Sequence, residues 1–143
     1  MPLKLNKPRS IALLVLAAVL VAGSMATAAI TKSGSFYTVK VETTGSGDSR
    51  VAKITTTGKN GYHCNKLYPW KLTVKPGAGV TMAKTEFKSK KGEAKTFSEA
   101  KVVFEVPYTA AAEAKKISAK LKISLCDDKQ CQMETVALSW PAR

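Results

Sequence analysis

The sequence predicts an all-β chain, an immunoglobulin-like antiparallel β-sandwich that forms a single domain after a cleaved signal peptide. Three observations carry this expectation. Beyond residue 35, apolar residues recur with period two in one short run after another. Clusters of Gly, Asn, Asp, Ser and Pro separate those runs at the spacing of hairpin connections. Only one short stretch has a helix-forming composition, so no βαβ pattern interrupts the strands.

The first segment stands apart from the rest. MPLKLNKPRS carries Lys4, Lys7 and Arg9, an apolar run IALLVLAAVLVAG comes next, and Ala26-Thr27-Ala28 closes the segment with an A-x-A pattern. A positive start, a short apolar run and a small-residue cleavage site together predict a signal peptide over 1–28. A bilayer anchor would want about 20 apolar residues and different flanks. Export to the periplasm or secretion is therefore expected, with no membrane span in the mature chain. Cleavage after Ala28 leaves 115 of the 143 residues, enough for one core. Residues 29–35 are expected to be a flexible N-terminal segment, and 36–143 the domain.

The strands are justified one by one. FYTVKVE sends Tyr37, Val39 and Val41 to one side, and VAKITTT is a weaker strand signal. YPWKLTV offers Trp70, Leu72 and Val74, and KVVFEVPY offers Val102, Phe104 and Val106. KISAKLKISL has the clearest alternation: Ile117, Ala119, Leu121, Ile123 and Leu125 face in, while Ser118, Lys120, Lys122 and Ser124 face out. METVALSW closes the series with Val136, Leu138 and Trp140. Between them lie the turn signals TGSGDS, Lys59-Asn60-Gly61, Pro76-Gly77-Ala78-Gly79 and Lys90-Lys91-Gly92. TAAAEAKK, residues 109–116, has helix-forming residues but is so short that a loop or a single turn competes with a helix.

Charge bounds the partners. The chain has 23 Lys+Arg against 10 Asp+Glu, and removing the three positives of the leader leaves 20 against 10. A surplus of that size favours acidic partners or anionic surfaces. The lysines are dispersed along the strands, however, and the densest cluster, KSKKGEAK, is broken by Gly92 and Glu93. Solvated strand faces and a basic loop explain that distribution without a ligand. No aromatic-basic motif accompanies the charge, so nucleic acid is not an expected partner.

Three cysteines and one histidine carry the remaining chemistry. Cys126 ends one predicted strand, Cys131 opens the next, and DDKQ between them reads as a turn. In an exported chain a matched pair at the feet of a hairpin is expected to form a disulfide. Two roles compete for it. As a staple it closes a small ring, which removes little unfolded-state entropy. As a redox centre it offers accessible sulfurs for thiol exchange. Asp127 and Asp128 oppose a thiolate there, and Lys129 offsets part of that effect. The spacing is not the C-x-x-C of thioredoxins. Three Cys and one His can be counted as a zinc set, but neighbours His63 and Cys64 face opposite ways on a strand, so no metal is expected. Nor is any other cofactor. His63 and Asn65 share one face of an extended segment, with Tyr62 and Cys64 on the other. Cys64 is most simply an apolar filler of the core, with an odd thiol that pairs with another chain as the sharper alternative.

Taken in order, GYHCN, the Tyr68-Pro69 step, FSEAKVVFEVPYT and KISAKLKISLCDDKQC resemble the periplasmic N-terminal domain of the thiol:disulfide interchange protein DsbD, over about residues 36 to 140. The resemblance implies an immunoglobulin-like sandwich whose two cysteines form a reversible disulfide. It implies an electron carrier that takes electrons from a membrane-embedded donor and passes them to periplasmic thiol oxidoreductases. Cys126 and Cys131 match the redox pair, Cys131 is the one that contacts partners, and His63 and Asn65 fall on the flanking strand positions. The loop from Phe87 to Phe97 takes the place of the family's shielding cap. Gln132 and Met133 depart from the family, which often has prolines there. The competing expectation is a non-catalytic binding or structural domain of the cell envelope, with a structural disulfide and a basic surface that meets an acidic partner. No convergent acid, base or nucleophile set points to a hydrolase or transferase.

Overall fold

The computed structural model describes residues 28–143, so the expected signal peptide lies outside the described residues except for Ala28. Eleven strands build two antiparallel sheets: β1 (Ala28–Ser33), β2 (Tyr37–Ser46), β3 (Ser49–Gly58), β4 (His63–Cys64), β5 (Lys71–Lys75), β6 (Val80–Thr81), β7 (Glu86–Lys88), β8 (Thr96–Phe97), β9 (Lys101–Ala110), β10 (Lys116–Cys126) and β11 (Cys131–Pro141). One sheet runs β1-β2-β3-β9-β6, with β8 also on β9. The other runs β11-β10-β5-β7, with β4 also on β10. This is the immunoglobulin-like sandwich that the periodicity predicts.

The core forms where the inward positions of the two sheets meet. Tyr37, Val39, Val41, Ile54, Phe104 and Val106 from the first sheet are buried, as are Leu72, Leu121, Ile123, Val136 and Trp140 from the second and Trp70 just before β5. Every inward set named from the alternating runs is buried, because a strand inside a sandwich must place each second side chain between the sheets. The weaker signal VAKITTT proves to be the middle of β3, paired on both sides, with Ala52, Ile54 and Thr56 buried. Its threonines blur the apolar pattern without breaking the alternation.

One expectation is corrected, and one alternative left open is decided. The segment 29–35 is not the flexible N-terminal segment expected. Ala28–Ser33 is a strand that pairs with β2 through six rungs, from Ala28 opposite Thr43 to Ser33 opposite Thr38. Its tie is backbone pairing, which leaves no apolar periodicity to read. TAAAEAKK contains no helix: Thr109 and Ala110 end β9, Lys116 opens β10, and a turn closed by Ala114 N–H donating to the Ala111 carbonyl at 3.0 Å joins them. No helix among the described residues is long and apolar enough to cross a membrane.

Candidate functional site

The hairpin joining β10 to β11 is built by Asp127. Its side-chain Oδ1 accepts the Lys129 N–H at 2.9 Å and the Gln130 N–H at 2.8 Å, while its own N–H donates to the Gln130 carbonyl at 2.9 Å. This is the Asx-turn chemistry that suits Asp to tight connections. The Lys129 and Gln130 amides hold the Asp127 carboxyl below the usual carboxylate range. The next rung pairs Cys126 with Cys131 directly across the ladder. Because the Asp127–Gln130 rung carries the hydrogen bond, the cysteine rung is the type whose side chains lie closest. Their Cα atoms are 3.9 Å apart and the sulfurs are bonded.

Strand parity decides which way the disulfide faces. On β10 the odd-numbered residues Ile117 to Leu125 point into the core, so Cys126 points out. On β11 the even-numbered Val136, Leu138 and Trp140 point in, so Cys131 also points out. Cys126 is half-buried and Cys131 is exposed. The segment 87–97, expected as a shield, leaves Cys131 open. It runs through β7, a 3-10 turn at Ser89–Lys91 and β8, bridging the edges of the two sheets.

A second turn brings His63 to the pair. The Tyr62 N–H donates to the Lys59 carbonyl at 3.2 Å across Asn60 and Gly61, whose φ values are 56° and 82°. Asn-Gly is the pair best able to hold two such residues. The turn folds so tightly that a Cβ on Gly58 would stand 1.8 Å from the Tyr62 carbonyl oxygen. The chain leaves this turn directly into β4, only two residues long, with His63 opposite Cys126 and Cys64 opposite Leu125. His63, Cys126 and Cys131 therefore occupy one row across three strands, on the outer face of the sheet. Directly opposed residues on one face have Cβ atoms about 5 Å apart.

Cys64 turns the other way. It is fully buried, its sulfur stays reduced, and burial pushes its thiol up to about 11. Its Sγ lies 3.8 Å from the Thr56 carbonyl oxygen. It is the core filler the alternation suggests. Asn65 is half-buried and committed locally. Its backbone N–H donates to the Ser124 carbonyl at 2.9 Å, its side-chain amide donates to Ser124 Oγ at 3.3 Å, and its Oδ1 accepts the Leu67 N–H at 3.0 Å. The Asn65 carbonyl also accepts the Trp70 indole N–H at 2.8 Å. Asn65 thus anchors the loop between β4 and β5 over Ser124, which stands directly opposite Met133 and two residues from Cys126.

Four further side chains complete the surroundings. Gln130 donates from its side-chain amide to the Tyr62 hydroxyl at 3.2 Å, and the Tyr62 ring packs 5.5 Å from that of Phe36. Tyr62 thereby ties the hairpin tip to the body of the domain. Leu67 and Met133 are the exposed large apolar side chains among the described residues, 85% and 69% accessible. Met133 shares the outer face with Cys131 two positions away, and Leu67 rides the loop that Asn65 fixes to Ser124. Neither breaks a period, and the sequence marks Met133 only as a departure from the family's prolines. Among the described residues no three His, Cys, Asp or Glu side chains converge to hold a metal.

Compared with known proteins, the chain matches no family model and no curated protein. It is similar in structure to the GAE domain of GGA2p from Saccharomyces cerevisiae, with a TM-score of 0.50 at 10% identity, covering 82% of this chain and all of that one. A yeast GGA1 GAE domain aligns with a TM-score of 0.48 at 13% identity, over 80% of this chain and 99% of that one. At such identity the first likeness speaks for the sandwich fold alone.

Proposed function

We propose that the chain is an exported thiol:disulfide exchange domain of the DsbD N-terminal type, carrying electrons through a reversible Cys126–Cys131 disulfide and needing no cofactor of its own. The observation that carries this reading is the row His63–Cys126–Cys131 on the outer face, with Cys131 exposed and the exposed Met133 two positions along the same face. A staple needs no accessible sulfur. An exchange centre does, because the incoming thiolate must approach a sulfur along the S–S axis. Met133 offers a partner a small dry contact beside the sulfur.

The reaction balances as a two-electron exchange. A thiolate of a reduced donor attacks Cys131 Sγ, the S–S bond breaks, and Cys126 leaves as a thiolate in a mixed disulfide. The donor's second thiolate then attacks its own sulfur in that bond, releasing Cys131. The donor ends as a disulfide and the domain as a dithiol. The same steps in reverse pass the electrons to a periplasmic thiol oxidoreductase. His63, opposite Cys126, supplies a proton to the departing Cys126 thiolate or takes it back.

The test is the reduction potential of the pair in a Cys64→Ala variant. A value between about −120 and −270 mV belongs to an exchange protein, and one below about −300 mV to a structural staple, which ends this reading. His63→Ala should slow exchange with a small dithiol several-fold while leaving the potential nearly unchanged.

A further inference from the structure

The outer face of the five-stranded sheet holds a second feature, remote from the sulfurs. A groove of about 760 Å³ runs along it, floored by Ala137 and Ser139 of β11 and walled on one side by Ile30 to Lys32 of β1. It is concave because β11 presents small residues outward there, while Lys75, Lys116 and Lys120 rise from β5 and β10. Cys131 lies six residues along β11 from Ala137, about 20 Å away.

Charge and spacing define what fits. Lys75, Lys116, Lys120 and Lys32 all line the groove, and among the described residues no carboxylate pairs with them. The one acid on the neighbouring strand, Glu86, is held between Lys71 at 2.6 Å and Lys88 at 2.8 Å, which bring its carboxyl down to about 2. Glu86 is thus spoken for by lysines outside the groove. Lys75 stands opposite Ser118, so the cationic rows fall at residues 116, 118 and 120 of β10. Alternate residues on a strand are about 6.6 Å apart, which is also the spacing of alternate side chains in an extended peptide. Thr31, Thr73, Ser118 and Ser139 add hydroxyls between the ammonium groups.

We infer that this groove binds an extended protein segment with acidic residues at alternate positions. The inference does not rest on the exchange reading, since it uses none of the sulfurs. The probes are two labelled peptides of equal charge, Glu-Thr-Glu-Thr-Glu-Thr and Glu-Glu-Glu-Thr-Thr-Thr, followed by fluorescence anisotropy on the mature chain. The alternating peptide should bind at least threefold more tightly and weaken as salt rises. The exposed double variant K75E/K120E should lose at least tenfold in affinity, and the milder K75Q/K120Q should lose less. K90E/K91E, with the same change in net charge on the 3-10 turn, should lose less than twofold. Cys126→Ser/Cys131→Ser should leave affinity unchanged, so this test fails or succeeds apart from the exchange reading. Equal losses for the two charge reversals, indifference to the peptide pattern, no peptide binding, or binding to vesicles of anionic lipid in preference to the peptide would each overturn the inference.

Discussion

Cys64 and Cys126 stand one rung apart where β4 meets β10, yet their chemistry diverges completely. Cys64 lies opposite Leu125 and points between the sheets, and Cys126 lies opposite His63 and points to solvent. The same element type, the same pair of strands and the same residue type give an inert thiol and an open disulfide. The difference is parity alone: a strand sends successive side chains to opposite faces. Burial then does the rest, since a thiolate is stabilised by water and starved of it in the core.

The sharpest way to break the comparison is to put one charge on each side of it. Cys64→Asp buries a carboxylate with no partner and should cost more than about 4 kcal/mol, enough to unfold many domains of this size. His63→Asp, one residue earlier and exposed, should stay within about 0.5 kcal/mol. Urea midpoints of the two variants decide it. If they are alike, β4 does not divide inside from outside.

A gentler probe uses reagents in place of mutations. After mild reduction without denaturant, Cys126 and Cys131 should react with iodoacetamide at least a hundredfold faster than Cys64 at neutral pH. Raising a thiol from 9.0 to about 11 lowers its thiolate population by about that factor before access is counted. Peptide mapping by mass spectrometry reads the ratio, and comparable labelling of Cys64 would show that the core opens readily.

Removing the bridge should matter less than disturbing the core. The two cysteines are five residues apart, and closing so small a ring is worth about 2 kcal/mol in the chain-entropy account. Cys126→Ser/Cys131→Ser should lower stability by no more than about that amount, measured by urea unfolding, with the fold intact by circular dichroism. A collapse of the fold would move the disulfide from the reaction side of the comparison to the structural side.

The smallest effect is at Asp127. Its folded carboxyl sits below its ordinary value, so its contribution is present above the unfolded value near 3.9 and fades as pH falls through the folded one. Asp127→Asn should weaken that acid dependence while keeping an acceptor for the Lys129 and Gln130 amides. Thermal midpoints between pH 2 and pH 6 should show the variant losing slightly less stability than the parent on acidification.

Much of the fold was legible in the sequence, for a physical reason. A side chain that must fit between two sheets cannot escape the period-two pattern, so Ile117 to Leu125 announced both strand and core. Strands without that demand stayed silent. Strand β1, AAITKS, shows one large apolar residue, the half-buried Ile30, and no alternation, and β4, β6, β7 and β8 are too short for any period to register. The opposite orientations of His63 and Cys64 came from adjacency. Their placement beside Cys126 depended on a register between segments some sixty residues apart, which backbone hydrogen bonding sets and no local pattern reports. Met133 stood out only as a departure from the family's prolines, and its exposure beside Cys131 waited on its neighbours.

One lysine joins the first and last of the described strands. Strand β11 closes its sheet, and Ala137 stands on a rung whose backbone polar groups point away from β10 toward the open margin. Lys32 reaches that margin and donates from Nζ to the Ala137 carbonyl at 2.8 Å. An unguarded margin eleven residues long is a template on which a second copy can add its own final strand, antiparallel and self-complementary. Strand β1 is thus a chaperone of its own edge: a chain trimmed past Lys32 would keep its core and lose its defence against pairing with itself.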